Sequence, residues 1–226
     1  MKTNFYYLIL DIAAISIPLL LSSNHRVKLD KKFKALFTAI TITALGFLIW
    51  DYFFTAKGYW GFTEEYLTGF YIFNLPIEEI LFFICIPYAC LFTHETVKYF
   101  AKGKAIIPGW LTEAIKWFLV ALSAFLFIKF NSLAYTATSS IILLISLLLA
   151  KKDVLKNFFV SYILLLIPFF IINGILTGTG IESQIVWYNN EQNLGIRLLT
   201  IPVEDLLYAM ELILINLIIF KKLDSR

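Results

Sequence analysis

Asn74-Leu75-Pro76-Ile77-Glu78-Glu79-Ile80-Leu81-Phe82 and Thr200-Ile201-Pro202-Val203-Glu204-Asp205-Leu206-Leu207-Tyr208 are one phrase written twice, 126 residues apart. Each sets a polar residue and a proline ahead of two adjacent carboxylates, where a long apolar run begins. Acidic side chains entering a bilayer cost roughly 2.5–3.5 kcal/mol or more at mid-depth, so they usually mark a working site. A duplicated pair therefore points to acid–base chemistry at the mouth of two membrane helices.

The rest of the chain fits that setting. It is 60% hydrophobic and 15% charged, with a mean hydropathy of +0.80, outside the usual soluble range. Crossing a bilayer takes an apolar run of about 17–25 residues. Seven spans are read on that basis, at about Phe5–Leu21, Leu36–Phe54, Ile77–Phe92, Ile115–Ile128, Ala134–Ala150, Phe158–Leu176 and Val203–Phe220. The basic residues test the count. Seven spans put Lys2, Lys57, Lys129 and Arg197 on one side and the other fifteen of the nineteen Lys and Arg on the opposite side. The positive-inside rule then sets the N-terminus outside and the C-terminus in the cytoplasm. The net charge of +3 reflects this bias, so no nucleic-acid partner is expected. The first basic cluster follows the first apolar run, whereas a signal peptide carries its charge in front. Cys85 and Cys90 read as reduced core residues, and His25 and His94, near the basic loops, as surface residues.

The repetition extends past the acidic phrase. Gly69 and Gly195 are also 126 apart, and Trp60 and Trp187 are 127 apart. The fold class expected is an all-α integral membrane protein of seven transmembrane helices, in two parallel three-helix repeats joined by a linking helix. The first repeat takes residues 1–97, the linker and fourth helix 98–132, and the second repeat 133–226. Parallel repeats open both acidic motifs onto the same face, whereas the inverted repeats of many transporters place them on opposite faces.

The local chemistry is consistent with this. Asn74 and Thr200 are helix-capping residue types, and a proline in the first turn forfeits no helical hydrogen bond. The helix dipole favours an anion at that end, while apolar burial favours the neutral acid. Competing terms of this kind set one carboxyl as acid and its neighbour as base. In the last helix Glu204, Tyr208 and Glu211 fall at i, i+4 and i+7 on one face, with Glu211 about two turns deeper. Its counterpart in the first repeat is Cys85, so the halves are not equivalent. Asp51, at the outer end of the second span, adds a further acid, and Asn173 holds the matching place in the other repeat. One half is expected to carry the proton donor and the other to shape the pocket.

Trp60-Gly61-Phe62, Tyr66, Gly69 and Leu75-Pro76-Ile77-Glu78-Glu79 with Phe82-Phe83 resemble the lycopene cyclase domain of integral-membrane carotenoid cyclases. Trp187-Tyr188, Gly195, Arg197 and Pro202-Val203-Glu204-Asp205 resemble a second copy of it. The resemblance implies an isomerase, an intramolecular lyase that turns the acyclic ends of lycopene into β-ionone rings, giving γ-carotene and then β-carotene. It implies Glu78, Glu79, Glu204 and Asp205 as acid–base residues. Asp51, Trp60, Phe82, Phe83, Trp187, Tyr208 and Glu211 are the residues expected to line the pocket or stabilise the cation. No cofactor and no metal are implied, and Gly178-Thr179-Gly180 lies in a loop rather than between a strand and a helix, so it is no dinucleotide fingerprint. The expected partners are membrane lipid and a long apolar carotenoid, with association with other carotenoid-biosynthesis enzymes left open.

Other functions make different demands. A retinal protein needs a mid-membrane lysine for its Schiff base, and Val203–Phe220 contains none. A proton-coupled transporter calls for broken helices at matching mid-span positions, which are not evident. A carotenoid hydratase begins with the same protonation and then captures water; sequence does not separate it from a cyclase.

Overall fold

The computed structural model describes residues 5–22 and 29–224. Lys2, His25, Arg26, Lys28 and Arg226, used above, lie outside the described residues. Helices dominate: α1 (Tyr6–Ser22), α2 (Phe33–Ala56), α3 (Ile77–Phe100), α4 (Gly109–Lys129), α5 (Ala134–Leu149), a single turn α6 (Lys152–Leu155), α7 (Phe158–Leu176) and α8 (Glu204–Asp224). Six very short strands accompany them: β1 (Trp60–Phe62), β2 (Tyr71–Ile72), β3 (Leu75–Pro76), β4 (Val186–Tyr188), β5 (Arg197–Leu198) and β6 (Ile201–Pro202). The seven long helices fall where apolar runs were read, and α3 continues two turns beyond the expected Phe92.

Among the described residues, four helices are long and apolar enough to cross a membrane: α2, α3, α4 and α7. At 1.5 Å per residue, the 24 residues of α2 and of α3 reach about 36 Å. α1 and α5 are apolar but shorter, at 17 and 16 residues. α8 has the length but carries carboxylates at its start and Lys221, Lys222 and Asp224 at its end. The surface is greasy to match: Leu20, Ile49, Phe118 and Ile167 are all exposed.

α1 packs along α3, α4 along α5, and α5 along α8, while α2 lies against both α3 and α8. At the basic end the core is built from Leu36, Tyr88, Leu91, Leu143, Phe158 and Leu214. Lys32 closes that end, donating to Asp224 at 2.6 Å and to Glu95 at 3.4 Å, and Glu95 also pairs with Lys98. His94 is a correction to the sequence reading. It is fully buried, with Nδ1 2.9 Å from the Ser161 hydroxyl.

The strands gather at the opposite end. β1 pairs antiparallel with β4, matching Trp60 to Tyr188 and Phe62 to Val186. Gly61 permits this ladder, because a Cβ there would lie 2.4 Å from the Trp187 ring. β2 with β3, and β5 with β6, form two tight hairpins of identical register: Ile72 faces Leu75, and Leu198 faces Ile201. Each turns on a two-residue loop whose first residue has positive φ, Phe73 at 55° and Leu199 at 59°, a place that favours glycine. The tips are apolar and bare, with Phe73 86% and Leu199 76% exposed.

Candidate active site

Each hairpin delivers its chain into a carboxylate-led helix in the same way. The Ile77 N–H donates to the Phe70 carbonyl at 2.9 Å, and the Val203 N–H to the Ile196 carbonyl at 3.0 Å. The first carboxylate of each pair then folds back onto its own loop. Glu78 Oε1 accepts from the Thr68 N–H at 2.6 Å, and Glu204 Oε1 from the Leu194 N–H at 2.7 Å. Glu204 Oε1 also accepts from the Thr136 hydroxyl at 2.6 Å. Asn74 and Thr200 do not cap the helices as expected. No side chain caps α3, and the Asn74 amide instead donates to the Tyr52 carbonyl at 3.0 Å. Thr200 meets Thr177, Thr179 and the Gly174 carbonyl. These residues tie the hairpins to the ends of α2 and α7.

One residue further on, the helical rotation of about 100° turns Glu79 and Asp205 the other way, into one cavity of about 590 Å³. Tyr7 and Asp51 reach it beside Glu79, and Tyr135, Asn173 and Tyr188 beside Asp205. The Tyr7 hydroxyl donates to Glu79 Oε2 at 2.5 Å, and the Tyr135 hydroxyl to Asp205 Oδ1 at 2.6 Å. The two halves thus repeat a tyrosine on the first helix holding the second carboxyl of the motif.

The third partner breaks the match. Asp51, at the end of α2, brings a second carboxyl within hydrogen-bonding reach of Glu79 and accepts from the Trp60 indole N–H. At the corresponding end of α7, Asn173 donates its amide to Asp205 Oδ2 at 2.7 Å, with the Tyr188 hydroxyl on the same oxygen at 3.2 Å. Burial and the nearby carboxyls of Asp205 and Glu79 push the Tyr188 phenol well above the usual tyrosine range, so it stays a donor.

Aromatic faces enclose the carboxyls. Tyr208 lies 5.0 Å from Trp50 and 5.2 Å from Phe47, Trp60 5.1 Å from Tyr135, and Tyr135 stacks on Tyr188 at 5.7 Å, all between ring centroids. No Lys, Arg or His lines the cavity among the described residues. Nor, among them, do three His, Cys, Asp or Glu side chains converge as metal ligands.

Of the residues singled out from the sequence, Asp51, Trp60, Glu79, Phe82, Asp205 and Tyr208 line this cavity. Glu78 and Glu204 do not; they hold the loops. Phe83 is fully buried against Phe47, at 6.0 Å, on another face of α3. Trp187 lies on the outer side of its strand, because alternation along β4 turns Val186 and Tyr188 inward. Glu211 sits fully buried beside the Leu143 backbone of α5, and the Asn216 amide that might have met it donates instead to the Leu212 carbonyl. The α8 face on the cavity is Asp205, Tyr208, Ala209, Leu212 and Ile213, one residue out of step with the Glu204–Tyr208–Glu211 face expected. Sequence reasoning assigned no role to Tyr7, Tyr135 or Tyr188. The signal for the first two was their place near the start of the leading helix of each half, 128 residues apart.

Two carboxyl groups of unequal surroundings, Glu79 and Asp205, thus share one largely apolar, aromatic chamber within a helical bundle. The chain belongs to the lycopene cyclase family: the family model of that description, Lycopene cyclase, matches residues 4–97 and again 131–223. Each match contains one copy of the acidic motif. Comparison with curated proteins and with solved structures found no match.

Proposed function

We propose that this chain is a lycopene β-cyclase with seven transmembrane helices, its acidic end facing outward. The four long apolar helices and the shorter α1 and α5 support that topology, since at 1.5 Å per residue even 16 residues reach about 24 Å. The basic-residue bias supports the orientation. The family match and the repeated local geometry support two parallel three-helix repeats.

The observation that carries the reaction is the unequal pairing around Glu79 and Asp205 in one largely apolar cavity. Two carboxylates in contact repel, so such a pair keeps a proton between them. The Asp51–Glu79 pair is the proton donor, giving that proton to the terminal double bond of lycopene. The resulting tertiary cation is attacked by the neighbouring double bond, a carbon–carbon bond closes the six-membered ring, and the positive charge moves onto a ring carbon. Asp205 accepts the proton lost from the ring carbon that carries the polyene chain, next to the cation, so that the C–H electron pair becomes the ring double bond of the β-type end. One proton enters and one leaves, so the reaction is an isomerisation. Tyr135, Tyr188 and Asn173 hold Asp205 in place, and the tyrosines keep its carboxylate hydrogen-bonded without a cation.

The walls contribute as well. An aromatic face over a desolvated cation is worth about 2 kcal/mol or more, and Trp60, Tyr188 and Tyr208 are placed to supply it. The absence of basic side chains from the lining suits a cationic intermediate.

The test is expression in a lycopene-accumulating bacterium, with pigments resolved by chromatography. The wild type should yield γ- or β-carotene, and Glu79→Gln and Asp205→Asn should each leave lycopene unchanged. Unchanged lycopene with well-folded wild type in the membrane would sink the reading, and a hydroxylated product would replace it with a hydratase.

A further inference from the structure

The cavity is elongated, and its far end has no carboxyl. Along α3 its floor runs from Glu79 through Phe82, Ile86 and Ala89 to Thr93, about 21 Å at 1.5 Å per residue. One wall is α1, through Ala13, Ala14, Ile17 and Pro18; the other is α7, through Leu165, Phe169 and Ile172. α1 packs along α3 but barely meets α7. Ile17 and Ile171 line the cavity and are nevertheless 67% and 59% exposed. Residues that do both mark the place where a cavity opens sideways, and here it opens on the apolar flank of the bundle.

The matching cleft of the second half is shut. By the repeat, it would lie between α5 and α2 over α8. There the Tyr208 ring is wedged against Phe47 and Trp50, with Tyr135 6.3 Å from both Trp50 and Tyr208. Leu212 is buried in the same cluster. The molecule thus has two carboxyl stations and one side door.

Resting on the cyclase reading above, we propose that a linear polyene enters from the bilayer through the cleft between α1 and α7. Its acyclic end reaches Glu79 and Asp205, the adjoining stretch of chain lies along α3, and the remainder stays in lipid. A cavity of about 590 Å³ is of the size that holds one drug-sized ligand, enough for one arm of such a chain. The two ends are therefore handled in separate visits, with withdrawal and re-entry between them. Ala13, Ala14 and Ala89 set the width of the channel, and this makes them determinants of substrate length and shape.

Ala89→Phe narrows the channel well away from the carboxyls, and Ile167→Phe, on the exposed lipid side of α7, serves as control. Purified full-length protein in lipid nanodiscs is given lycopene, or a truncated acyclic hydrocarbon bearing the same end. Binding is read from the circular dichroism induced in the polyene bands, and turnover by chromatography. A phenyl ring at Ala89 would occupy cavity space that the polyene needs. Lycopene binding and the ratio of lycopene to short-substrate turnover should therefore each fall about tenfold or more in Ala89→Phe, with Ile167→Phe close to wild type. Undiminished lycopene binding by Ala89→Phe overturns the proposal. So does equal loss of long and short substrates, or equal loss in both variants. Channel-dependent binding without any cyclic product would leave the entrance standing and remove the cyclase reading instead.

Discussion

The two halves of this molecule repeat the same stereochemistry down to the turn. Each has a positive-φ residue at a hairpin tip, an N–H held by the first carboxylate, and a tyrosine on the second. Around the second carboxyl they part at one helix end. Asp51 approaches Glu79 in the first half, and Asn173 donates to Asp205 in the second. On the reading proposed above, exchanging a carboxyl for an amide here gives one station a proton to share and the other a lone carboxyl surrounded by donors. The repeat thus carries two copies of an acid, and the residue beside each is what sets their surroundings apart.

The largest test of that contrast removes the acids themselves. General acid–base groups contribute typically 10²–10⁴-fold, so Glu79→Gln and Asp205→Asn should each cost about a thousandfold in cyclised product, measured by chromatography of membranes given lycopene. Equal retention of activity by both would dissolve the distinction between the stations. Next come the residues that make the halves differ. Asp51→Asn leaves the first half without its second carboxyl and should lower turnover by about a hundredfold. Asn173→Asp places a second carboxyl beside Asp205, and a smaller loss of about tenfold is expected, since a proton shared between the two relieves most of their repulsion. Full activity of Asn173→Asp would show that the asymmetry is incidental.

Smaller effects separate support from chemistry. Tyr7→Phe and Tyr135→Phe each delete a hydrogen bond to a carboxyl worth about 1.5–3 kcal/mol, and turnover should fall about tenfold to a hundredfold. Glu78→Gln and Glu204→Gln should behave differently from their neighbours. Both keep an acceptor for the Thr68 and Leu194 N–H groups, and for this reason the expected loss is under about tenfold, with thermal stability lower by about 1 kcal/mol. A loss as deep as that of Glu79→Gln would move the catalytic role back to the first carboxylate of the motif.

The helices and the acidic motif were legible in the sequence, because apolar length and a 126-residue repeat are properties of the string. Which carboxylate of each pair faces the cavity was not. Adjacent helical residues differ by about 100° in direction, and the reference direction is set by how α3 and α8 pack, which no local pattern encodes. The same lack of a reference put Glu211 and Phe83 on the wrong face. Trp187 was chosen over Tyr188 because the two tryptophans nearly match in spacing. The β1–β4 pairing sets Trp60 opposite Tyr188 instead, and pairing between distant strands leaves no local trace. The hairpins escaped notice for a related reason, since Phe73 and Leu199 occupy turn positions where glycine is the usual signal.

The bare hairpin tips have a consequence. In a membrane, Phe73 and Leu199 would rest among the lipid headgroups. Glu78 and Glu204 join the loops behind those tips to the first turns of α3 and α8, one residue from Glu79 and Asp205. Under the proposed topology, the lipid at that surface thus adjoins the loops that hold the two carboxyl-bearing helix turns.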